Sequence, residues 1–174
     1  MQSAVSRMGR VVSHQSEETV GKFHCRPSTV ADVQTIAENM RTEDVDEIKA
    51  QSGNTPREGL FFCYFMSKPC VTIVSRHGNP IGMWGVVPLD NTAGRIWMLG
   101  CEAMLKDASD KYNFLRESRK ELAKLHGQYP LLTNVVDARN TVHVRWIRWM
   151  GFTFIKKHPQ WGPEHRMFYE FVRI

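Results

Sequence analysis

The stretch Asn140-Thr-Val-His-Val-Arg-Trp-Ile-Arg-Trp-Met-Gly-Phe152 predicts one complete short helix. Asn140 can cap the first turn by accepting a backbone N–H, and Gly151 can close the last turn in the left-handed conformation. Two series recur between them at helical spacing, Val142/Trp146/Trp149 and His143/Ile147/Met150. Strand-forming residues lie on both sides, at 131–138 and 152–156. The stretch therefore predicts a strand, a capped helix and a returning strand.

The rest of the chain predicts helices, an antiparallel meander and a crossover. We expect helices that begin near Thr29, at 43–50, after Thr55, and at 109–127. In the third of these, Leu60, Phe61, Tyr64 and Phe65 are expected on the buried side. The expected strands are 22–26, 71–76, 81–87, 95–101, 131–138, 153–158 and 166–172. Because a long helix joins 95–101 to 131–138, these two strands are expected to be parallel, in an α/β protein with a central mixed sheet flanked by helices.

An Asn followed eleven places later by Gly-Phe, across a short amphipathic helix, resembles the C-terminal motif of the GNAT acyltransferase fold. The sequence of this motif and of two stretches upstream is similar to the internal virion protein A family of short-tailed bacteriophages. That similarity is carried by Asn140 to Phe152, Ile96-Trp-Met-Leu-Gly100 and Pro80-Ile-Gly-Met-Trp-Gly-Val86. The resemblance covers roughly residues 23–174. It implies a GNAT-like acyl-CoA N-acyltransferase fold in a protein for which acyl transfer is not the expected task.

Length and composition indicate one domain. The 174 residues are 42% hydrophobic, enough to bury a sizeable core, and we expect a polar, flexible arm at 1–21 followed by one domain at 22–174. The longest apolar run, 60–66, is far below the ~20 residues that span a bilayer, so no membrane partner is expected. Four scattered cysteines and seven histidines show no spacing that suits a metal, and reduced thiols fit a cytoplasmic setting.

The net charge of +5 is a weak indication of acidic partners. Several positive residues cluster late in the chain, and a solvated basic face is the simpler interpretation. Contact with nucleic acid or a phosphorylated ligand is the alternative, because phosphate attraction needs such a cluster. The cluster comprises Arg139, Arg145, Arg148, Lys156, Lys157, His158, His165, Arg166 and Arg173.

The phosphate-binding turn of an acyl-CoA enzyme is missing from the expected place. The resemblance implies a Gly-rich turn, Q/R-x-x-G-x-G/A, at the start of the crossover helix, where N–H groups converge on phosphate oxygens. Residues 101–111 contain no glycine, and Asp107 and Asp110 stand where the anion should lie. Two like charges ~4 Å apart cost up to ~4 kcal/mol at an effective dielectric of 20, or about a thousandfold in binding. Lys106 and Lys111 could offset part of this repulsion.

The sequence gives equally little support for catalytic residues. GNAT enzymes often place a Tyr at the eighth position of the Asn-initiated helix as proton donor, and here that residue is Ile147. Glu102 could act as a base toward an amine, although a solvent-exposed charge at a helix start explains it as well. Cys101 could be a nucleophile, although a buried strand thiol is the simpler interpretation.

Binding roles remain open for a few residues. If acetyl-CoA binds, the resemblance implies contacts from Leu99, Cys101 and Asn140, although helix capping alone explains Asn140. His143 is better explained as a hydrogen-bonded core or interface histidine than as a catalyst. Core packing explains most of the five tryptophans. Because Trp and Arg are enriched at the energetic centres of interfaces, we also consider one surface, formed by Arg145, Trp146, Arg148 and Trp149.

The sequence therefore favours a phage-encoded GNAT-like protein without acyltransferase activity and without a cofactor. The resemblance implies contacts with other phage virion or assembly proteins, in the host cytoplasm during infection or within the virion. An active acetyl-CoA-dependent N-acetyltransferase that modifies a host or viral protein is the main alternative. A basic nucleic-acid-binding module is the third.

Overall fold

The computed structural model describes residues 21–174, so residues 1–20 of the predicted arm lie outside the described residues. The chain forms seven strands and six helices within this range. In order they are β1 (His24–Pro27), α1 (Val30–Glu38), α2 (Thr42–Ser52), α3 (Pro56–Met66), β2 (Cys70–Val74), β3 (Pro80–Pro88), β4 (Ala93–Gly100), α4 (Ala103–Lys106), α5 (Ala108–His126), β5 (Leu131–Asp137), α6 (Thr141–Trp149), β6 (Thr153–Trp161) and β7 (Arg166–Arg173).

All seven strands join one mixed sheet in the order β1-β2-β3-β4-β5-β7-β6. The β1 to β4 meander is antiparallel, and so are the pairs that β7 makes with β5 and β6. Only β4 and β5 are parallel within the described part of the chain, joined by the α5 crossover. The predicted mixed sheet and its parallel pair are therefore confirmed.

The helix ends follow local sequence signals. Thr29 and Thr55 each form a reciprocal capping box, with Asp32 and Glu58 respectively. Asn140 caps α6 by accepting the N–H of His143 at 3.3 Å. Gly151 follows α6 with φ +85°, a conformation that other residues resist, and the helix ends there.

Helices cover both faces of the sheet. Alternating residues of β4 point to opposite sides, so Trp97 packs with α1, α2 and α3 while Ile96 packs with α5 and α6. The first core contains Val33, Ile36, Ile48, Leu60 and Met83, and the second contains Leu122, Leu125, Val136, Val144 and Ile147. The sheet therefore separates two apolar layers.

The predicted buried side of α3 was partly wrong. On α3 only Leu60 is buried, and Phe65 is 69% exposed. Almost every residue from 60 to 66 is apolar, so periodicity could not select a face. The packing is set instead by Gly59, where an added Cβ would lie 2.9 Å from the Ile48 side chain. On α6 the first series is half-exposed at Val142 and Trp149.

No helix within residues 21–174 is both long enough and apolar enough to cross a bilayer.

Candidate functional site

The parallel strands β4 and β5 are paired over only the first part of their length. The pairs are Ala93 with Leu131, Gly94 with Leu132 and Arg95 with Thr133. Just beyond them, the Asn134 side-chain amide donates a hydrogen bond to the Ile96 carbonyl oxygen at 2.8 Å. A gap therefore opens toward the carboxyl ends of the two strands, the place where open α/β sheets bind ligands.

A cavity of about 770 Å³ occupies this gap. Side chains from both faces of the sheet line it, and most of them are apolar. From the α2 and α3 side the lining includes Glu47, Ile48, Cys63, Trp97 and Leu99, and from the α5 and α6 side Met98, Phe114, His143, Trp146 and Ile147. The volume lies in the range of small-molecule sites.

A buried polar network closes the carboxyl end of β4. The Gly100 backbone N–H donates to the Asp44 carboxylate at 2.9 Å, and the Arg41 N–H donates to the Gly100 carbonyl at 2.9 Å. The Asn140 amide donates to Asp44 at 3.2 Å and to Glu47 at 2.9 Å. Arg41 also forms an ion pair with Asp44. Asp44 of α2 and the Arg41 residue that precedes this helix thus bond to both polar atoms of the Gly100 backbone.

Two titratable groups at the cavity are held uncharged. Burial and the neighbouring Asp44 carboxylate raise the pKa of Glu47 to about 8. Burial lowers the pKa of His143 to about 4. At neutral pH the site therefore presents a protonated carboxyl and a neutral imidazole, neither of which carries a charge.

The N-terminus of the crossover helix α5 already holds a carboxylate. Asp107 accepts the backbone N–H groups of Ser109 at 2.8 Å and Asp110 at 2.9 Å. Arg76, in the β2–β3 turn, donates from its guanidinium to Asp107 at 2.9 Å and from its backbone to Asp110 at 3.2 Å. The helix N-terminus and its nearest cation are thus engaged with side chains of the chain itself.

The segment between β4 and α5 is a one-turn helix, α4, which the sequence did not predict. Met104 of this turn is fully buried against the ends of β3 and β4. A Cβ at Gly100 would lie 2.7 Å from the Met104 methyl carbon, and a Cβ at Gly82 would lie 3.3 Å from its sulfur. The two glycines therefore make room for the Met104 side chain.

Neither of the weak catalytic candidates hydrogen-bonds to the side chains of the polar network. Glu102 is exposed, and its side chain makes no capping hydrogen bond. Cys101 is buried, and burial raises the pKa of its thiol to about 11, which keeps it protonated at neutral pH. Leu99 and Ile147 both line the cavity, and Ile147 also belongs to the core between α5, α6 and the sheet.

The four residues considered as one interface lie on different sides of α6. Trp146 faces inward, stacked on Phe114 with ring centroids 5.5 Å apart. Trp149 is exposed beneath the Arg119 guanidinium, 3.8 Å from its ring. Arg145 and Arg148 are exposed, and Arg148 lies over the Phe154 ring. Only Trp149 and the two arginines are therefore placed to meet a partner surface.

Sequence reasoning missed Asp44 and Glu47 as members of the site. Their signal was present, since positions 44, 47 and 48 share one face of α2 and put two carboxyl groups beside the buried Ile48. Their partners are more than fifty residues away, at Gly100 and Asn140, and no local pattern joins them.

No protein-family model matches the chain, and no curated protein matches it by sequence. Solved structures do match. A spermidine N-acetyltransferase from Vibrio cholerae, in complex with CoA and spermine, is 11% identical with a TM-score of 0.63, over 87% of this chain and 94% of that one. An acetyltransferase of the GNAT family from Bacillus anthracis is 10% identical with a TM-score of 0.62, over 89% and 96%.

A third structure, a putative acetyltransferase from Salmonella typhimurium with its cofactor acetyl-CoA, is 13% identical. Its TM-score is 0.61, over 88% of this chain and 94% of that one. At such identities the likeness concerns the fold. The seven-stranded mixed sheet, its flanking helices and the gap between its parallel strands together show that this chain has the GNAT acetyltransferase fold.

Proposed function

We propose that this chain is a GNAT-fold protein that does not transfer acyl groups and that contributes to virion assembly through protein contacts. The absence of acyl transfer is supported by one observation: the Asp107 carboxylate accepts hydrogen bonds from the N–H groups at the start of α5. In enzymes of this fold a diphosphate needs such N–H groups, because the helix N-terminus attracts and binds anions.

The cost of replacing Asp107 by a diphosphate is large. Removing the cap costs about 1 kcal/mol. Placing a second anion ~4 Å from the carboxylate costs up to about 4 kcal/mol at an effective dielectric of 20. Displacing the carboxylate incurs the first cost and retaining it incurs the second, so the loss of affinity is at most about three orders of magnitude. Arg76 neutralises part of this charge, but its guanidinium is already paired with Asp107.

The β4 edge adds a second obstacle. The Gly100 N–H and carbonyl bond to Asp44 and Arg41, and the Ile96 carbonyl bonds to Asn134. A ligand that paired with this edge would have to displace hydrogen bonds that are buried and partly charge-assisted. The residues at α5 and β4 therefore do not fit acetyl-CoA.

The assembly role rests on the similarity to the internal virion protein A family of short-tailed bacteriophages. That similarity lies in the stretches 80–86, 96–100 and 140–152. The exposed Trp149, Arg145 and Arg148 supply residue types that dominate binding at protein interfaces. We propose other phage virion or assembly proteins as partners, met in the host cytoplasm or within the particle.

Calorimetry tests the loss of cofactor binding. Acetyl-CoA is titrated into the full chain at neutral pH, with the spermidine N-acetyltransferase from Vibrio cholerae as the positive control. We expect no binding at micromolar concentrations. A micromolar Kd for this chain would overturn the proposal.

Affinity capture from phage-infected cells, followed by mass spectrometry, tests the assembly role. We expect virion proteins to be enriched with the native chain and to be depleted when Trp149 and Arg148 are both replaced by Ala. Enrichment of host proteins alone would contradict the role. Retention on DNA that weakens steeply with salt would favour the nucleic-acid-binding alternative.

An active N-acetyltransferase is the second candidate, favoured by the solved structures of this fold that hold CoA or acetyl-CoA. It requires CoA release that declines when Glu102 or Asn140 is replaced. Chromatographic detection of CoA avoids any contribution from the chain's own thiols, among them the exposed Cys25. Turnover by the native chain would establish this candidate over the first.

A further inference from the structure

Strand β6 is the outermost strand at one end of the sheet, and among the described residues it pairs only with β7. Alternate residues of such a strand point their backbone N–H and C=O groups away from the sheet, where another strand can bond to them. Strand β6 is nine residues long, whereas β1, at the opposite end, has four residues and ends at Pro27. The longer open edge of the described sheet is therefore that of β6.

Three cations stand along this edge without a counter-charge from the chain itself. Arg148, Lys156 and Lys157 are exposed, and none of them belongs to an ion pair within residues 21–174. Glu170 lies opposite Lys156 in the ladder, but its carboxylate is hydrogen-bonded to His158 at 2.8 Å. The edge therefore carries positive charge that complements an acidic partner.

A pocket of about 290 Å³ lies between the end of α6 and β6. Two aromatic rings line it, Phe154 and Tyr169, with centroids 5.9 Å apart, and the Arg148 guanidinium lies over Phe154. Ile155, at a bulge of β6, also lines the pocket and is 54% exposed. None of the lining residues is acidic. A segment along this edge can therefore place an apolar side chain against the rings while its acidic side chains meet the cations.

A second copy of the chain is a poor occupant of this edge. Antiparallel pairing of two β6 strands over their full length would place Lys156 and Lys157 of one copy beside those of the other, and like charges across neighbouring strands are destabilising. The β1 edge offers Arg26, which is already paired with Asp32. Exposed lysines and Pro159 protect an edge strand from pairing with its like. The edge thus favours a strand of opposite charge.

We propose that the outer edge of β6 binds an acidic, extended segment of another protein as an added strand, with its carboxylates paired to Arg148, Lys156 and Lys157. This inference rests on the proposed role in protein contacts, and it names the edge and the chemistry of the partner. Backbone hydrogen bonds to β6 hold the segment, and the cations select its charge. Because Pro159 has no N–H, the added strand pairs mainly with residues 153–158.

A short fluorescein-labelled peptide of alternating Glu and Val is a suitable probe. We expect a saturable rise in its anisotropy with the full chain at low ionic strength, and weaker binding as salt is added. Lys156→Glu/Lys157→Glu should weaken this binding roughly tenfold and should create binding of the matching Lys–Val peptide, a gain that misfolding cannot produce. Lys106→Glu/Lys111→Glu makes the same charge change on exposed residues away from β6 and should keep the preference for the Glu–Val peptide.

Two further measurements separate strand addition from charge attraction alone. A Glu–Val peptide methylated on alternate backbone nitrogens keeps its charges and loses donors, so it should bind more weakly. In the native chain, bound peptide should slow amide hydrogen exchange at 153–158 and leave β1 unchanged. Because no virion protein is present, these measurements and the capture from infected cells can fail separately.

Four results would each overturn the proposal. They are no saturable binding of the Glu–Val peptide, equal binding of its methylated form, unchanged exchange at 153–158, and an unchanged peptide preference in Lys156→Glu/Lys157→Glu. Double-stranded DNA that binds the native chain, while the peptide does not, would identify nucleic acid as the ligand of this edge instead.

Discussion

Replacing Glu47 by Gln should stabilise the protein in alkaline solution and leave it unchanged in acid. Gln has the shape and neutrality of the protonated Glu47 carboxyl, and its oxygen can still accept from Asn140. The native carboxyl has a folded pKa of about 8, against 4.5 for the unfolded chain. The folded state therefore binds the proton more tightly, and stability falls as pH rises from 4.5 to 8.

The magnitude follows from the difference between the folded and unfolded pKa values. A tenfold change in proton affinity corresponds to about 1.36 kcal/mol, so ionisation of Glu47 removes about 5 kcal/mol by pH 8. His143 acts in the opposite direction at lower pH. Its pKa falls from 6.5 to about 4 on folding, so stability rises with pH across that interval. Between pH 6.5 and 8, Glu47 is the member of this pair that makes stability depend on pH. The free energy of unfolding of the native chain should fall by about 2 kcal/mol over this interval.

Urea unfolding followed by tryptophan fluorescence, at several values between pH 5 and 8.5, measures this effect. The advantage of Glu47→Gln over the native chain should be smallest at pH 5 and should grow by about 1.36 kcal/mol per pH unit up to about pH 8. Glu43→Gln, exposed on the first turn of the same helix, is the control and should follow the native curve. A difference between Glu47→Gln and the native chain that is independent of pH would refute the reasoning.

Three other predictions concern stability. Asp107→Ala removes the α5 cap and should lower the free energy of unfolding by about 1–2 kcal/mol in urea, whereas an unchanged midpoint would contradict the capping role. Gly100→Ala places a Cβ 2.7 Å from Met104 and should cost about 1–3 kcal/mol in the same assay; a smaller cost of the same change in the Met104→Ala background would confirm the cause. Phe65→Ser should lower stability by less than about 1 kcal/mol in thermal unfolding, because the ring is largely exposed and its aromatic contacts are with Phe61 and Tyr64 of the same helix; a larger loss would contradict this.

Features written in adjacent residues could be predicted from the sequence. The caps at Thr29 and Asn140 and the stop at Gly151 depend on partners within four residues, so the ends of α1 and α6 were found. The parallel pairing of β4 and β5 followed from the length of the crossover. These signals need no knowledge of the tertiary structure.

Features that depend on distant partners could not be predicted. In the sequence, Asp44 resembles any acidic residue in a first helical turn. Only the packing of α2 against β4 brings its carboxylate within hydrogen-bonding distance of the Gly100 N–H. The acidity of 107–110 was noted in the sequence, yet the pairing of Asp107 with Arg76 joins residues 31 positions apart. The four-residue α4 is too short for any periodicity.

The three residue pairs between β4 and β5 leave the sheet with a weak seam. Strands β1 to β4 form one ladder and β5 to β7 another, and few backbone hydrogen bonds hold the two together. With three residue pairs, this seam has the fewest of any two neighbouring strands in the sheet. The Asn134 amide, which donates to the Ile96 carbonyl oxygen, therefore adds a side-chain hydrogen bond across the seam just beyond its last backbone pair.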